Sequence, residues 1–250
     1  MADYRRGLVP LIATVVGTLL AARLGFWQLD RAAQKVALQT ALESRSRLPA
    51  LAAGALARTA AAAEPQHYRL AVVSGRWIAE RTLFLDNRQM DGRAGFFVVT
   101  PLQIQGTSEA VLVERGWVAR NFNDRAALPP VATPAGTVTV AGRVTPPPSR
   151  LFEFAGAASG PIRQNLDIPA YARETGLTLL PLSILQLDSS GAGATSSPGR
   201  SADGLARHWP APAIDVQKHY GYAAQWFAIA VGIAFLYVWH RIIRPRARRA

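Results

Sequence analysis

Residues 220–239 read YGYAAQWFAIAVGIAFLYVW, twenty positions without a charge and with aromatic residues at both ends. A bilayer's hydrocarbon core takes roughly 20 residues of helix, and Tyr and Trp settle at headgroup depth, so a transmembrane helix is expected over 219–239. Arg241, Arg244, Arg246, Arg248 and Arg249 follow at once in the tail 240–250. Under the positive-inside rule they mark that end as cytoplasmic.

A second stretch lies near the other end, where residues 7–22 (GLVPLIATVVGTLLAA) are also uncharged. After Arg23, whose guanidinium can snorkel to the interface, the apolar character resumes through Leu24, Gly25, Phe26, Trp27 and Leu29, giving a span at 7–29. Arg5 and Arg6, in the segment 1–6, repeat the cytoplasmic signal. Both termini are therefore expected in the cytoplasm, with residues 30–218 on the opposite face of the membrane. The rival reading is a cleaved signal peptide, with Arg5 and Arg6 as its positive region and TLLAA as its small residues. The apolar run, however, outlasts a signal core of about 7 to 15 residues.

Composition narrows the function. The chain has 28 Lys plus Arg against 16 Asp plus Glu, a net charge of +12. Much of the surplus sits in the two tails, so it is a topology signal and no nucleic-acid partner is expected. Basic residues are nearly all arginine and alanine is abundant, as in a GC-rich bacterial genome; the membrane is then the inner membrane and the outer face periplasmic. The absence of cysteine excludes disulfides, thiolate zinc, iron–sulfur ligation, c-type haem attachment and a CxxC redox couple. Any haem or transition metal would rest on His67, His208, His219 or His240.

Small residues line one face of each span: Gly17, Ala21 and Gly25 at intervals of four, and Gly221, Ala228 and Gly232 with Gln225 beside them. Close-packing membrane helices have this pattern. Gln225 is expected to hydrogen-bond inside the helix pair or to a ligand.

Between the spans, residues 30–47 lack Gly and Pro and should continue the first helix. Residues 51–64 are Ala-rich, with apolar side chains too small to build a core, and read as a mobile connector. Six short apolar runs bounded by turn residues then read as strands: HYRLAVVSG, RTLFLDNR, AGFFVVTPLQI, AVLVERGWVA, TVTVAGRV and LLPLSILQLD. In the fifth, Val138, Val140, Gly142 and Val144 alternate with Thr137, Thr139, Ala141 and Arg143, the period of a half-buried strand. A helix is expected after Asp167, with Pro169 in its first turn and Gly176 closing it. Loops are expected from Pro146 onward and at 189–203 (SSGAGATSSPGRSAD), the latter disordered. The expected fold is a membrane-anchored α+β protein: two transmembrane helices flank one mostly antiparallel β domain with a short helix, its sheet a small barrel or sandwich. No Walker loop, GxGxxG, HExxH or GxSxG occurs, and no enzymatic activity is expected.

Several strings together resemble the surfeit-locus family of cytochrome c oxidase assembly factors. Leu24, Gly25, Phe26, Trp27, Gln28, Leu29, Arg31 and Lys35 reproduce its LGxWQxxR pattern. Tyr68, Arg69 and Gly75, the string LDNR at 85–88, Gly95 and Phe96, and the string TPL at 100–102 are similar to its strand motifs. Residues 111–118 (VLVERGWV) resemble its VLVxRGWV block, and 219–227 (HYGYAAQWF) its HxxYAxQWF signature. Glu114 and the insertion at 189–203 depart from the family pattern.

The resemblance implies a non-catalytic chaperone of respiratory-chain biogenesis. Such a protein would receive haem a from haem a synthase and present it to the core subunit of cytochrome c oxidase. A scaffold that holds an oxidase subunit without touching haem is the alternative. The resemblance implies His219 as the axial ligand of the haem iron, against a plain interfacial histidine. Trp27, Gln28, Gln225 and Trp226 would line the site, or else serve as belt anchors and packing. Arg31, Arg69 and Arg115 become candidates for propionate or partner contacts. His208 and His240 are read as a loop and an interface residue.

Overall fold

A computed structural model describes residues 2–121, 128–148, 151, 160–188, 203–209 and 216–244. Among them the chain divides into two compact units, one of residues 2–40 with 216–244, the other of 41–209.

The first unit is built from two helices. α1 (Ala2–Ser46) runs unbroken for 45 residues, so the expected span and its continuation are one helix. Pro10 lies inside it, and the hydroxyl of Thr14 donates to the Pro10 carbonyl at 2.8 Å. The second long helix of the chain, labelled α4 below, covers Val216–Val238 and ends in a π-helical turn over Trp239–Ile243. Both helices are long and apolar enough to cross a membrane.

The second unit holds β1 (Leu51–Ala52), α2 (Ala60–Ala63), β2 (Leu70–Trp77), β3 (Leu83–Met90), β4 (Arg93–Ile104), β5 (Glu109–Ala119), β6 (Thr137–Thr145), β7 (Ile162–Arg163), α3 (Ile168–Thr175) and β8 (Thr178–Gln186). Its sheet runs β1-β2-β6-β8-β5-β4-β3-β7, and a further β2–β4 pairing joins β2, β6, β8, β5 and β4 into a ring of five. A barrel is thus present. The sheet is mixed rather than simply antiparallel: β1–β2, β3–β7 and β5–β8 are parallel. Two of these pairs use strands of two residues, too short to show a periodicity in sequence.

Gly75 sits where the ring closes, opposite Ile104, and a Cβ there would lie 2.2 Å from the Gln103 carbonyl oxygen. Inward residues of all five ring strands, among them Val73, Leu102, Val113, Val140 and Leu182, fill the core. Val140, Gly142 and Val144 are buried while Thr139 and Ala141 are exposed, as the alternation requires. On the outside, α3 lays Ile168 and Tyr171 over Leu85, Val99 and Leu112, so β5 is buried on both faces. The Asp167 side chain caps α3 by accepting from Ala170 N, and Gly176 ends it in the left-handed region at φ 72°.

The Ala-rich segment corrects one expectation. Residues 51–64 are no mobile connector: Leu51, Leu56, Ala57 and Ala63 belong to the barrel core, and Thr59 caps α2 through Ala62 N. Alanine is small, but two leucines and a close fit suffice where the rest of the core is supplied by other strands. The expected loop at 189–203 and the tail beyond residue 244 lie outside the described residues, apart from Asp203.

Candidate functional site

α1 and α4 run antiparallel, as their contacts show. Gly17 faces Ile233, Gly25 faces Phe227, and Gln28 meets His219. Gly25 is the closest approach: a Cβ there would stand 2.7 Å from the Phe227 ring, which also packs edge-on against Phe26 at 5.2 Å. On α1 the residues turned inward include Ala21, Gly25 and Gln28; on α4 they are His219, Ala223, Trp226 and Ala230. These intervals of three and four are those of an a/d seam between two packed helices.

This seam differs from the small-residue stripe expected on α4. Gly221, Gln225 and Ala228 are exposed, and nothing lies within 4 Å of a Cβ placed on Gly221 or Gly232. Gln225 therefore points away from the pair, about 120° around the helix from His219 at 100° per residue, and does not bond inside it. Two stripes of small residues compete on this helix, and Ala223 with Ala230, in register with His219, is the one that packs.

At one end of the seam the His219 Nδ1–H donates to Gln28 Oε1 at 2.7 Å. The bond crosses 191 positions of sequence and ties the imidazole of α4 to the side-chain amide of α1. On α1, Arg31 stacks over the Trp27 ring at 5.5 Å and donates to Gln34 Oε1 at 3.1 Å. Trp27 and Arg31 are exposed. Trp27, Gln28, Arg31, His219 and Trp226 thus share the helix pair, four of them around its polar end.

Arg69 and Arg115 belong to the β unit. The Arg69 guanidinium donates to the Pro49 carbonyl at 2.8 Å. Arg115 is interior, 1% exposed. Its guanidinium donates to Thr133 Oγ1 at 2.8 Å and the Ala132 carbonyl at 2.6 Å, approaches Asp203 at 3.5 Å, and lies 4.7 Å from the centre of the Trp77 ring. A β-bulge explains the position. Val98 pairs with Gly116 and Val99 with Glu114, leaving Arg115 as the extra residue. Committed in this way, its side chain serves the domain's interior rather than a surface contact. Among the described residues no three His, Asp or Glu side chains gather as a metal site, and His208 pairs with Asp91 at 3.0 Å on the surface.

Residues 15–231 match the SURF1 family. The chain belongs to that family. It is also similar to the cytochrome oxidase assembly protein SHY1 of Saccharomyces cerevisiae, 29% identical over 101 residues. That match covers 40% of this chain and 26% of the yeast protein. Family membership thus takes in both helices and the β unit, and the seam residues of α1 and α4 from Gly17 to Ala230 all fall within it.

Proposed function

We propose that this SURF1-family chain is a membrane-anchored, non-catalytic assembly factor for haem-copper cytochrome c oxidase. In this reading it accepts haem a from its synthase at the α1–α4 pair and assists its insertion into the oxidase core subunit. Both helices cross a bacterial inner membrane, with the β unit on the periplasmic side and both termini in the cytoplasm. The assembly role rests on family membership and on the likeness to the yeast assembly protein.

One observation carries the haem reading: the hydrogen bond from His219 Nδ1–H to Gln28. Ligating histidines characteristically donate their second ring nitrogen to a neighbouring acceptor, which sets the tautomer and the ring orientation. Gln28 supplies that acceptor and keeps Nε2 available for an iron. Haem would bring an apolar macrocycle, an iron and two carboxylates. Trp27 offers an aromatic face to the first, and Arg31 a guanidinium to the last.

A scaffold role without haem is supported by a different observation. Gly221, Gln225 and Ala228 stand exposed on α4, a polar amide among small residues in an apolar stretch, which suits docking of a partner's helix. Absorption spectra of detergent-purified wild type and His219→Ala, each co-expressed with the haem a biosynthetic enzymes, separate the two. A Soret band in the wild type that falls at least tenfold in the variant supports haem handling. A folded wild type without haem that still co-purifies with the oxidase subunit, as does the variant, supports the scaffold.

A further inference from the structure

The outer face of the barrel carries a cavity of about 390 Å³, within the usual range of small-molecule sites. Leu185 of β8, Glu114 of β5, Phe97 of β4 and Arg88 of β3 line it in strand order, and prolines 146–148 form its rim. Two β-bulges flank it. Glu114 directly precedes the one at Arg115, and Arg88 directly follows the one between Leu85 and Arg88, where Asn87 takes a positive φ of 58°. Bulges re-aim side chains, and these two bring Glu114 and Arg88 to one space, where the Arg88 guanidinium also donates to the Gln164 carbonyl at 3.0 Å and lies 5.8 Å from the centre of the Phe97 ring.

Glu114 is the unusual member. It is 5% exposed, and its one hydrogen bond among the described residues is long, 3.4 Å from the Thr145 hydroxyl. A carboxyl group buried with so little compensation costs several kcal/mol if charged, of order 2–7 even for a neutral polar group left unpaired. Nothing in the barrel's packing requires it, since an apolar residue would fill a doubly covered strand.

We propose that this cavity is a binding site for a small organic carboxylate with an apolar body, held between the Arg88 guanidinium and a protonated Glu114. The charge balance favours an anion over a cation. Burial pushes the Glu114 carboxyl up to about 7 even against the opposing pull of Arg88, so protonating it near neutral pH costs little. A cation would instead be brought beside the like charge of Arg88. Among the described residues the other walls add no negative charge: Phe97 on β4, Leu185 on β8, and Thr145 with the prolines after β6 are uncharged. Arg143, opposite Leu185 in the β6–β8 register, is cationic. Phe97 and Leu185 supply the apolar surface for the ligand body. The site lies in the β unit and does not depend on the haem reading.

Calorimetric titration of the full chain in non-ionic detergent tests it with phenylacetate, 2-phenylethylamine and benzyl alcohol as matched probes. Phenylacetate should bind at one site, and since binding requires protonated Glu114, its affinity should fall roughly tenfold between pH 6 and pH 8. Glu114→Gln, which keeps shape and a hydrogen-bond donor, should bind phenylacetate with no pH dependence. Arg88→Gln should lose binding while its circular dichroism stays native. Preference for the amine, absence of saturable phenylacetate binding by folded protein, or an unchanged pH profile in Glu114→Gln would overturn the proposal. A failure here leaves the Soret experiment untouched.

Discussion

The helix pair and the β barrel both take polar side chains into apolar surroundings, and they satisfy them differently. Inside the barrel domain, Arg115 has its guanidinium bonded to Thr133, Ala132 and Asp203, and its own carbonyl accepts from Arg207 at 2.6 Å. Arg207 in turn pairs with Asp203 and Asp188. In this network two buried arginines share Asp203, and Asp188 joins it from the surface. At the end of the helix seam, His219 Nδ1 makes one hydrogen bond among the described residues, to Gln28. The arginine network holds the fold, whereas His219 is the group to which the proposed function assigns the haem iron.

The largest effect should come from breaking the arginine side of that contrast. Arg115→Leu leaves the Thr133 hydroxyl and the Ala132 carbonyl without their donor and Asp203 with Arg207 alone, and loss of one partner from a buried ion pair costs about 3–5 kcal/mol. Chemical denaturation followed by tryptophan fluorescence should show the loss. An intact His219–Gln28 bond in that variant would confirm that the two regions are energetically separate.

Next comes the pH dependence of the β unit. Glu114 is raised from 4.5 to about 7 by burial, so the folded state holds a proton that the unfolded chain releases. Its contribution is complete below about pH 4.5, declines as pH rises to 7, and is flat above. The difference across the window is about 3 kcal/mol. Glu114→Gln should flatten stability between pH 5 and 7, and a slope unchanged in the variant would assign the dependence to other groups.

On the helix pair, Gly25→Leu drives a side chain into the Phe227 ring, already 2.7 Å from where a Cβ would stand. Overpacking of this kind costs about 1–3 kcal/mol. It should also separate Gln28 from His219, which the imidazole NMR signals would report. The smallest effect is expected at Arg163–Glu174, a pair bridging β7 and α3 at 2.5 Å with Glu174 half exposed. Arg163→Ala should cost at most about 1 kcal/mol in the same denaturation assay.

What the sequence makes legible follows the range of the interaction. The α3 helix is readable because its signals are local: Asp167 caps it, Pro169 fits the first turn and Gly176 takes the left-handed end. The six long strands are readable because alternation and turn residues lie within each segment. Residues 51–64 are not, since the burial of Leu56 and Ala63 depends on strands as far along the chain as Ile184, 128 positions from Leu56. The parallel pairs of β1 and β7 are hidden for the same reason. Arg115 is interior only because a bulge shifts its strand, and no local pattern marks a bulge. The charged Glu114–Arg115 pair inside the apolar run 110–119 is nonetheless a visible anomaly, and it points to both the ion network and the cavity. On α4 the spacing from His219 through Ala223 and Trp226 to Ala230 shows the packed seam, once it is weighed against the rival stripe through Gly221.

In the proposed function, Gln28 would hold His219 so that its other ring nitrogen ligates a haem iron. The most direct measurement is the Soret spectrum of His219→Gly, purified from a haem a-producing host, with and without added imidazole. The account predicts a band lost in the variant and restored by imidazole, which replaces the missing ligand in the same space. A band of wild-type position and intensity in His219→Gly without imidazole would contradict it.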